Sequence, residues 1–303
     1  MKILLQFPEG LKKNALSESK KLESEGHTVY LSSSACYGAC DLPMEEARLL
    51  EIDKLIHFGH AKFIKTPLPF EVEYREFHIS IDVAKLNGAL KFLDGKKRVV
   101  LVTTIQHIPQ LNEMKFFLEE KGKEVLVGKG FFTVYPGQVL GCDSLAATSV
   151  AETADAILYV GDGKFHPTGI DTTLPLFSLN PYSGECRQLN SEIERIRKRK
   201  KGMMIKALEC KHFAILVSTK PGQFRISVAD TAKEKLQKAG LNAEILISNE
   251  FNPISIANFS DFDCYVNTAC PRIDEDSELF EKPILNISNL DAFLKLYGEV
   301  HKD

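Results

Sequence analysis

The sequence predicts an α/β protein built from three repeated β-α-β-α-β units, with parallel sheets arranged around a pseudo-threefold centre. Three observations predict it. Apolar runs of four to six residues alternate with helical stretches, the pattern of buried parallel strands joined by helical crossovers. The same order of elements returns three times along the 303 residues. A glycine (Gly26, Gly122 or Gly240) follows the first helix of each unit, where a left-handed helix cap is expected.

In the first unit, Lys2–Gln6 (KILLQ) is a short apolar strand, and Asn14–Glu25 beyond Gly10 reads as helix. Strand Thr28–Leu31 follows, then helix Glu45–Glu51 and strand Lys54–Phe58 (KLIHF). The second unit repeats this as strand Arg98–Val102, helix Leu111–Lys121, strand Glu124–Val127, helix Ser144–Glu152 and strand Ala156–Val160. The third runs strand Phe213–Val217, helix Val228–Ala239, strand Ala243–Ile247, a helix near Pro253–Phe259, and strand Cys264–Val266. Boundaries fall near Gly95 and in the basic helix Glu192–Lys211, which divides the chain into 1–95, 96–195 and 196–303. A single doubly wound sheet is the competing architecture.

Hydrophobic residues make up 44% of the chain and charged residues 26%, the balance of a soluble globular protein. A net charge of -3 argues against a general nucleic-acid binder. The apolar run at Met1–Phe7 stops at Pro8, too short for a signal peptide. No run approaches the ~18 apolar residues of a membrane helix. These features predict a cytoplasmic protein without a membrane partner. Seven cysteines in that compartment are not expected to pair, and an odd number cannot pair fully. Cys264, inside Phe262-Asp263-Cys264-Tyr265-Val266, reads as a buried strand residue.

Ligands in open parallel sheets collect at the carboxyl ends of strands. Cys40 and Cys142 lie in loops after the second strand of their units, and Cys270 follows the third strand of its unit. Three units packed about a pseudo-threefold axis would let these thiolates converge. Three thiolates leave one iron of a [4Fe-4S] cluster without a protein ligand, ready for a substrate or cofactor. Zinc, the competing metal, commonly uses close pairs such as CxxC, which are absent. The close pair Cys36-x-x-x-Cys40 continues to Pro43, so the CxxxCxxC loop of ordinary radical-SAM enzymes is broken. Spacing alone leaves two readings open: a cluster, or scattered small hydrophobes.

Five segments carry a resemblance to a known family. Tyr37-Gly38-Ala39-Cys40-Asp41, Gly137-Gln138-Val139-Leu140-Gly141-Cys142 and Thr268-Ala269-Cys270-Pro271-Arg272 are similar to the three cysteine segments of the archaeal diphthamide-synthesis enzymes. Gly161-Asp162-Gly163-Lys164-Phe165-His166-Pro167 and Ser218-Thr219-Lys220-Pro221-Gly222-Gln223 also resemble that family, and the match runs in order over nearly the whole chain. The resemblance implies a homodimer of three-domain subunits with a [4Fe-4S] cluster on Cys40, Cys142 and Cys270. It also implies an unusual use of S-adenosylmethionine (SAM), with cleavage between sulfur and the methionine γ-carbon after electron transfer from a donor. The resulting 3-amino-3-carboxypropyl radical attacks an imidazole carbon of a histidine in translation elongation factor 2, and methylthioadenosine is released.

Gly161-Asp162-Gly163 follows a strand and suits a plain turn, yet Lys164, Phe165 and His166 on the same loop are an apt lining for adenine and a carboxylate. Lys220, Gly222 and Gln223, with Arg225, form either a turn or a cradle for the SAM carboxylate. Arg272 is placed to pair with the cofactor carboxylate or with a nearby acid such as Asp274. Gln106-His107 is a weaker candidate of the same kind in the second unit. The run Arg195–Lys201 (RIRKRKK) is either a solvated helix face or a docking surface for a protein partner. Two rival functions stand beside the transferase: a quinolinate synthase-like cluster enzyme, and a non-catalytic cluster-binding or electron-transfer subunit.

Overall fold

The computed structural model describes residues 1–301, and at 274–277 the backbone alone. The chain divides into two compact units, Met1–Ile193 and Glu194–Asp303. The first unit holds two sheets. Strands β1 (Lys2–Gln6), β2 (Thr28–Leu31), β3 (Lys54–Phe58) and β4 (Glu71–Arg75) form one of them, in the order β2-β1-β3-β4 and parallel throughout. Strands β5 (Arg98–Thr103), β6 (Glu124–Leu126), β7 (Ala156–Val160), β8 (Leu176–Leu179) and β9 (Cys186–Gln188) form the other, in the order β6-β5-β7-β8-β9, with β9 antiparallel to β8. The second unit holds β10 (His212–Ser218), β11 (Asn242–Ser248), β12 (Cys264–Asn267) and β13 (Ile284–Asn286), in the order β11-β10-β12-β13. Each sheet therefore has its first strand second from one edge and its third strand beside it.

The central strands are legible because both their faces are covered. In β7 (AILYV) all five residues are buried, and in β10 only His212 is exposed. Such strands read as unbroken apolar runs, with no alternation. The fourth strand of each sheet departs from the expected five-element unit. β4 (EVEYR) is an edge strand whose Glu71 and Glu73 sit at 3.0 and 2.7 Å from Lys54 on β3, so its charges disguise it. β13 has three residues, too few to show a period. Helix Leu290–Val300 is a further addition to the expected unit; its Phe293 packs against Phe213, ring centroids 5.6 Å apart. The helix expected at Ser144–Glu152 is broken into Leu145–Thr148 and a single 3-10 turn, Ala151–Thr153.

Two recurring devices fix the repeat. Gly26, Gly122 and Gly240 have φ of +86°, +78° and +77°. The N–H of the residue after each glycine donates to the carbonyl of Leu22, Leu118 or Leu236, at 3.2, 3.1 and 3.0 Å. Each first helix thus ends in the same Schellman motif. The second device has no counterpart among the sequence expectations. An aspartate stands just before the third strand of every sheet, and its carboxylate accepts N–H bonds from the start of the first strand. Asp53 takes Lys2 (2.7 Å), Asp155 takes Lys97 and Arg98 (2.7 and 2.8 Å), and Asp263 takes Lys211 and His212 (3.1 and 3.0 Å). These N–H groups begin a strand with no ladder partner on that side, and a carboxylate satisfies them.

Candidate metal centre

The carboxyl ends of β1, β5 and β10 each hold a cysteine loop by hydrogen bonds. Gln6 ends β1, and its side-chain amide donates to the Asp41 carbonyl at 2.7 Å, beside Cys40. Thr103 ends β5; its N–H donates to Gly137 O (2.8 Å) and its carbonyl accepts from Val139 (2.9 Å), which ties down the strand-like approach to Cys142. In β10 the Leu216 carbonyl accepts from both the backbone N–H (3.1 Å) and the hydroxyl (2.8 Å) of Thr268, two residues before Cys270.

Within the first unit, the Cys40 and Cys142 loops share one apolar surface. Cys40, Phe132 and Leu140 all pack against the cluster around Leu42, Leu55 and Phe63. The rings of Phe63 and Phe132 stack at 5.0 Å, and Lys65 lies 5.2 Å from the Phe131 ring centre. Cys142 is exposed at the tip of a tight turn closed by Leu140 N to Asp143 O (2.9 Å) and Asp143 N to Leu140 O (3.2 Å). Sequence reasoning missed the acids behind both thiols. Asp143 is buried and accepts from Phe132 N (2.6 Å) and Leu145 N (3.1 Å), whereas Asp41, also buried, accepts from Tyr37 N (3.2 Å). The signal was present as the repeated Cys-Asp of Cys40-Asp41 and Cys142-Asp143. In the second unit Asn267 braces the loop in their place. Its amide donates to Cys270 O (2.8 Å), and its side-chain carbonyl accepts from Ala269 N (3.0 Å).

The loop after β7 reaches Cys142 through Phe165. A Cβ on Gly141 would lie 2.4 Å from the Phe165 ring, so glycine there lets the ring lie against the backbone next to the thiol. Phe165 is half exposed and packs edge-on against His166, ring centroids 5.3 Å apart. Lys164 pairs with Glu192 at 3.3 Å. Asp162 works within its own loop, where its carboxylate accepts from Gly163 N (2.8 Å) and the Asn180 amide (3.0 Å). Gly161 donates to Leu179 O at 3.0 Å, and Gly163 has φ +73°. His107, the weaker candidate, is buried with its ring nitrogen 3.1 Å from Ile79 O, which marks it as a loop anchor.

In the second unit, Lys220, Gln223 and Arg272 are buried, an uncommon place for two cations. The Lys220 ammonium is 3.3 Å from Glu250 and 3.2 Å from the Asn249 side-chain carbonyl. Gln223 N donates to Lys220 O (2.9 Å) across the turn that contains Gly222. The side chain of Asp274, the acid considered for Arg272, lies outside the described residues. The run Arg195–Lys201 lies on helix Asn190–Ala207, and Arg199 is 3.6 Å from Glu278.

Among the remaining thiols, burial pushes Cys36 up to about 12 and Cys186 up to about 11. Cys264 is fully buried in β12, as its sequence setting suggested, and burial raises it well above the ordinary thiol range. Cys40, Cys142 and Cys270 are each at least partly exposed. Among the described residues, no helix is long and apolar enough to cross a membrane.

Residues 7–302 match the model of the family described as diphthamide synthesis protein. The chain belongs to that family. It is 34% identical to the 2-(3-amino-3-carboxypropyl)histidine synthase of Pyrococcus horikoshii, over all of this chain and 88% of the relative. The synthase of the same name from Methanocaldococcus jannaschii is 31% identical, over 97% of this chain and 84% of the relative. The crystal structure of Dph2 from Pyrococcus horikoshii with a 4Fe-4S cluster superposes with a TM-score of 0.89 at 33% identity, covering 97% of this chain and 86% of that one. This chain is accordingly an α/β protein with three sheets, in each of which four strands follow the same order.

Proposed function

We propose that this chain transfers the 3-amino-3-carboxypropyl group of SAM to a histidine of translation elongation factor 2, the first step of diphthamide synthesis. The observation that carries this reading is the recurrence of one construction: each of three sheets uses its first strand to hold a cysteine loop at the carboxyl ends. The donor set fits a [4Fe-4S] cluster, because Cys40, Cys142 and Cys270 supply three thiols that are not sealed in the core. When bound, such a cluster supplies one electron to the sulfonium of SAM. Overall the reaction is redox-neutral: a carbon–sulfur bond breaks, a carbon–carbon bond forms at the imidazole, and the ring proton leaves.

The remaining work is positioning, since orientation selects which carbon leaves sulfur. Phe165 and His166 line the adenine end of SAM, on a loop shaped by Gly161, Asp162 and Gly163. Lys220, Gln223 and Arg272 hold its carboxylate, with Gly222 giving the backbone room to approach. One domain is assigned to each sheet, with divisions near residues 95 and 195. The enzyme works as a cytoplasmic homodimer with an external electron donor and no nucleic-acid partner.

Gly141→Ala tests the role of Phe165. The added methyl meets the outer edge of a half-exposed ring, so the ring swings aside at little cost. Stability is expected to change by less than about 1 kcal/mol. The dissociation constant for SAM rises several-fold, as in Phe165→Ala; unchanged affinity in both variants removes Phe165 from the site. The function itself is tested anaerobically. Cluster-loaded, reduced protein with SAM is expected to release methylthioadenosine with little 5′-deoxyadenosine, and one histidine of elongation factor 2 gains an aminocarboxypropyl group. Predominant 5′-deoxyadenosine would mean ordinary radical-SAM cleavage, and neither nucleoside a carrier.

A further inference from the structure

The first unit contains a group of ligand-type side chains that the proposed reaction does not use. Cys36 Sγ and one ring nitrogen each of His57 and His60 all lie within 4.8 Å of one another. With zinc–nitrogen distances of about 2.0–2.1 Å and a zinc–sulfur distance of about 2.3 Å, tetrahedral ligand atoms stand roughly 3.3–3.6 Å apart. Small side-chain rotations cover that difference.

The surrounding hydrogen bonds prepare one imidazole as a ligand. The Gln6 amide nitrogen is committed to the Asp41 carbonyl (2.7 Å), so its carbonyl oxygen is the acceptor toward His57 Nδ1 at 2.7 Å. The network thus assigns the His57 proton to Nδ1 and leaves a lone pair on Nε2, which points at His60 Nδ1, 2.9 Å away. An imidazole whose far nitrogen donates to a fixed carbonyl is the usual arrangement around a bound metal. The backbone holds the group as well. His57, one residue before the end of β3, is in register with Gln6, and Gly59 N donates to Arg75 O (2.8 Å) in the turn that brings His60 back. Cys36 and His57 are buried, while His60 is partly exposed and offers an entry path.

We propose that Cys36, His57 and His60 bind a zinc-class divalent cation, a site distinct from the cysteine cluster. One thiolate and two imidazoles form a borderline-soft set that suits zinc, with the fourth position left to water. Binding releases the thiol proton and replaces the hydrogen bond between the imidazoles. The ion fastens the loop carrying Cys36 and Cys40 to the end of β3, so the site has a structural role that does not depend on the transferase reading.

The test uses the full chain with Cys40, Cys142 and Cys270 replaced by Ser, stripped with a chelator and titrated with cobalt(II). One equivalent is expected to bind, with thiolate-to-cobalt charge-transfer absorption and the strong visible bands of a tetrahedral site, both erased by one equivalent of zinc. In the Cys36→Ala background the charge-transfer band disappears. Affinity there and in His60→Ala falls by more than about 100-fold, since loss of even a hydrogen-bond partner behind a ligand costs about 10–100-fold. Circular dichroism checks that each variant is folded. Absence of the bands in the folded chain, or unchanged affinity in Cys36→Ala, overturns the proposal. If the triple-serine chain does not fold, zinc is counted by elemental analysis in the cluster-loaded wild-type chain after exposure to equimolar zinc. One zinc per chain beyond the iron, lost in Cys36→Ala, is expected, and none overturns the site.

Discussion

Cys142→Ala is expected to remove the iron and the transferase activity together while leaving the fold intact. The thiol is exposed at the tip of the Leu140–Asp143 turn, so its loss creates no core cavity. Exposed substitutions of this kind usually change stability by within about 0.5 kcal/mol. Anaerobically prepared wild-type protein should carry about four irons per chain, as a single [4Fe-4S] cluster requires. The variant should fall to background in iron and sulfide analysis and lose its electron paramagnetic resonance signal, and it should release no methylthioadenosine. Cys40→Ala and Cys270→Ala should behave alike. Cys36→Ala, Cys186→Ala and Cys210→Ala should keep their iron, because Cys36 and Cys210 are buried and Cys186 lies in strand β9, outside the three cysteine loops. Full iron content in Cys142→Ala would sink the shared-cluster model. A cluster lost with Cys36→Ala but kept with Cys40→Ala would transfer the ligand role to Cys36.

Asp143→Ala should be the most damaging change to the scaffold of the site. The carboxylate is buried and receives the N–H groups of Phe132 and Leu145 at 2.6 and 3.1 Å. Hydrogen bonds to a charged group contribute roughly 1.5–3 kcal/mol each, and their loss leaves donors unsatisfied. We expect a loss of about 3 kcal/mol in urea unfolding, together with poor iron retention despite three intact cysteines. Asp143→Asn keeps one acceptor oxygen and should recover part of both. Wild-type iron retention in a destabilised Asp143→Ala would show that the acid supports the fold without positioning Cys142.

Much of the architecture could be read from the chain because doubly covered parallel strands leave a plain mark. Runs such as Ala156–Val160 and Phe213–Val217 have no polar residue to blur them, and the glycine after each first helix marks where it must stop. The edge strand β4 escaped notice because its solvent-facing positions carry Glu71, Glu73 and Arg75. Its pairing with β3 rests on the backbone ladder and on Lys54, and neither can be seen in a hydropathy pattern. The three aspartates before β3, β7 and β12 were in plain view. Their purpose emerges only when the first and third strands lie side by side, so that one carboxylate faces the start of its neighbour.

The candidate site divides in the same way. Position after a strand made Cys40, Cys142 and Cys270 candidates, and the resemblance of their segments to the family chose the cluster reading over scattered small hydrophobes. The neighbours that hold them were a matter of tertiary structure: Gln6 under Asp41, Thr103 against Gly137 and Val139, and Phe165 lying over Gly141. Zinc was set aside in the sequence for want of a close cysteine pair, and no spacing rule links Cys36 to His57 and His60. Folding brings them together. Parallel pairing of β1 with β3 puts His57 in register with Gln6, and the loop returning from β2, on the other side of β1, delivers Cys36. Apolar periodicity is a local property and survives in the sequence, whereas a ligand set assembled across strands depends on register, which only the folded chain contains.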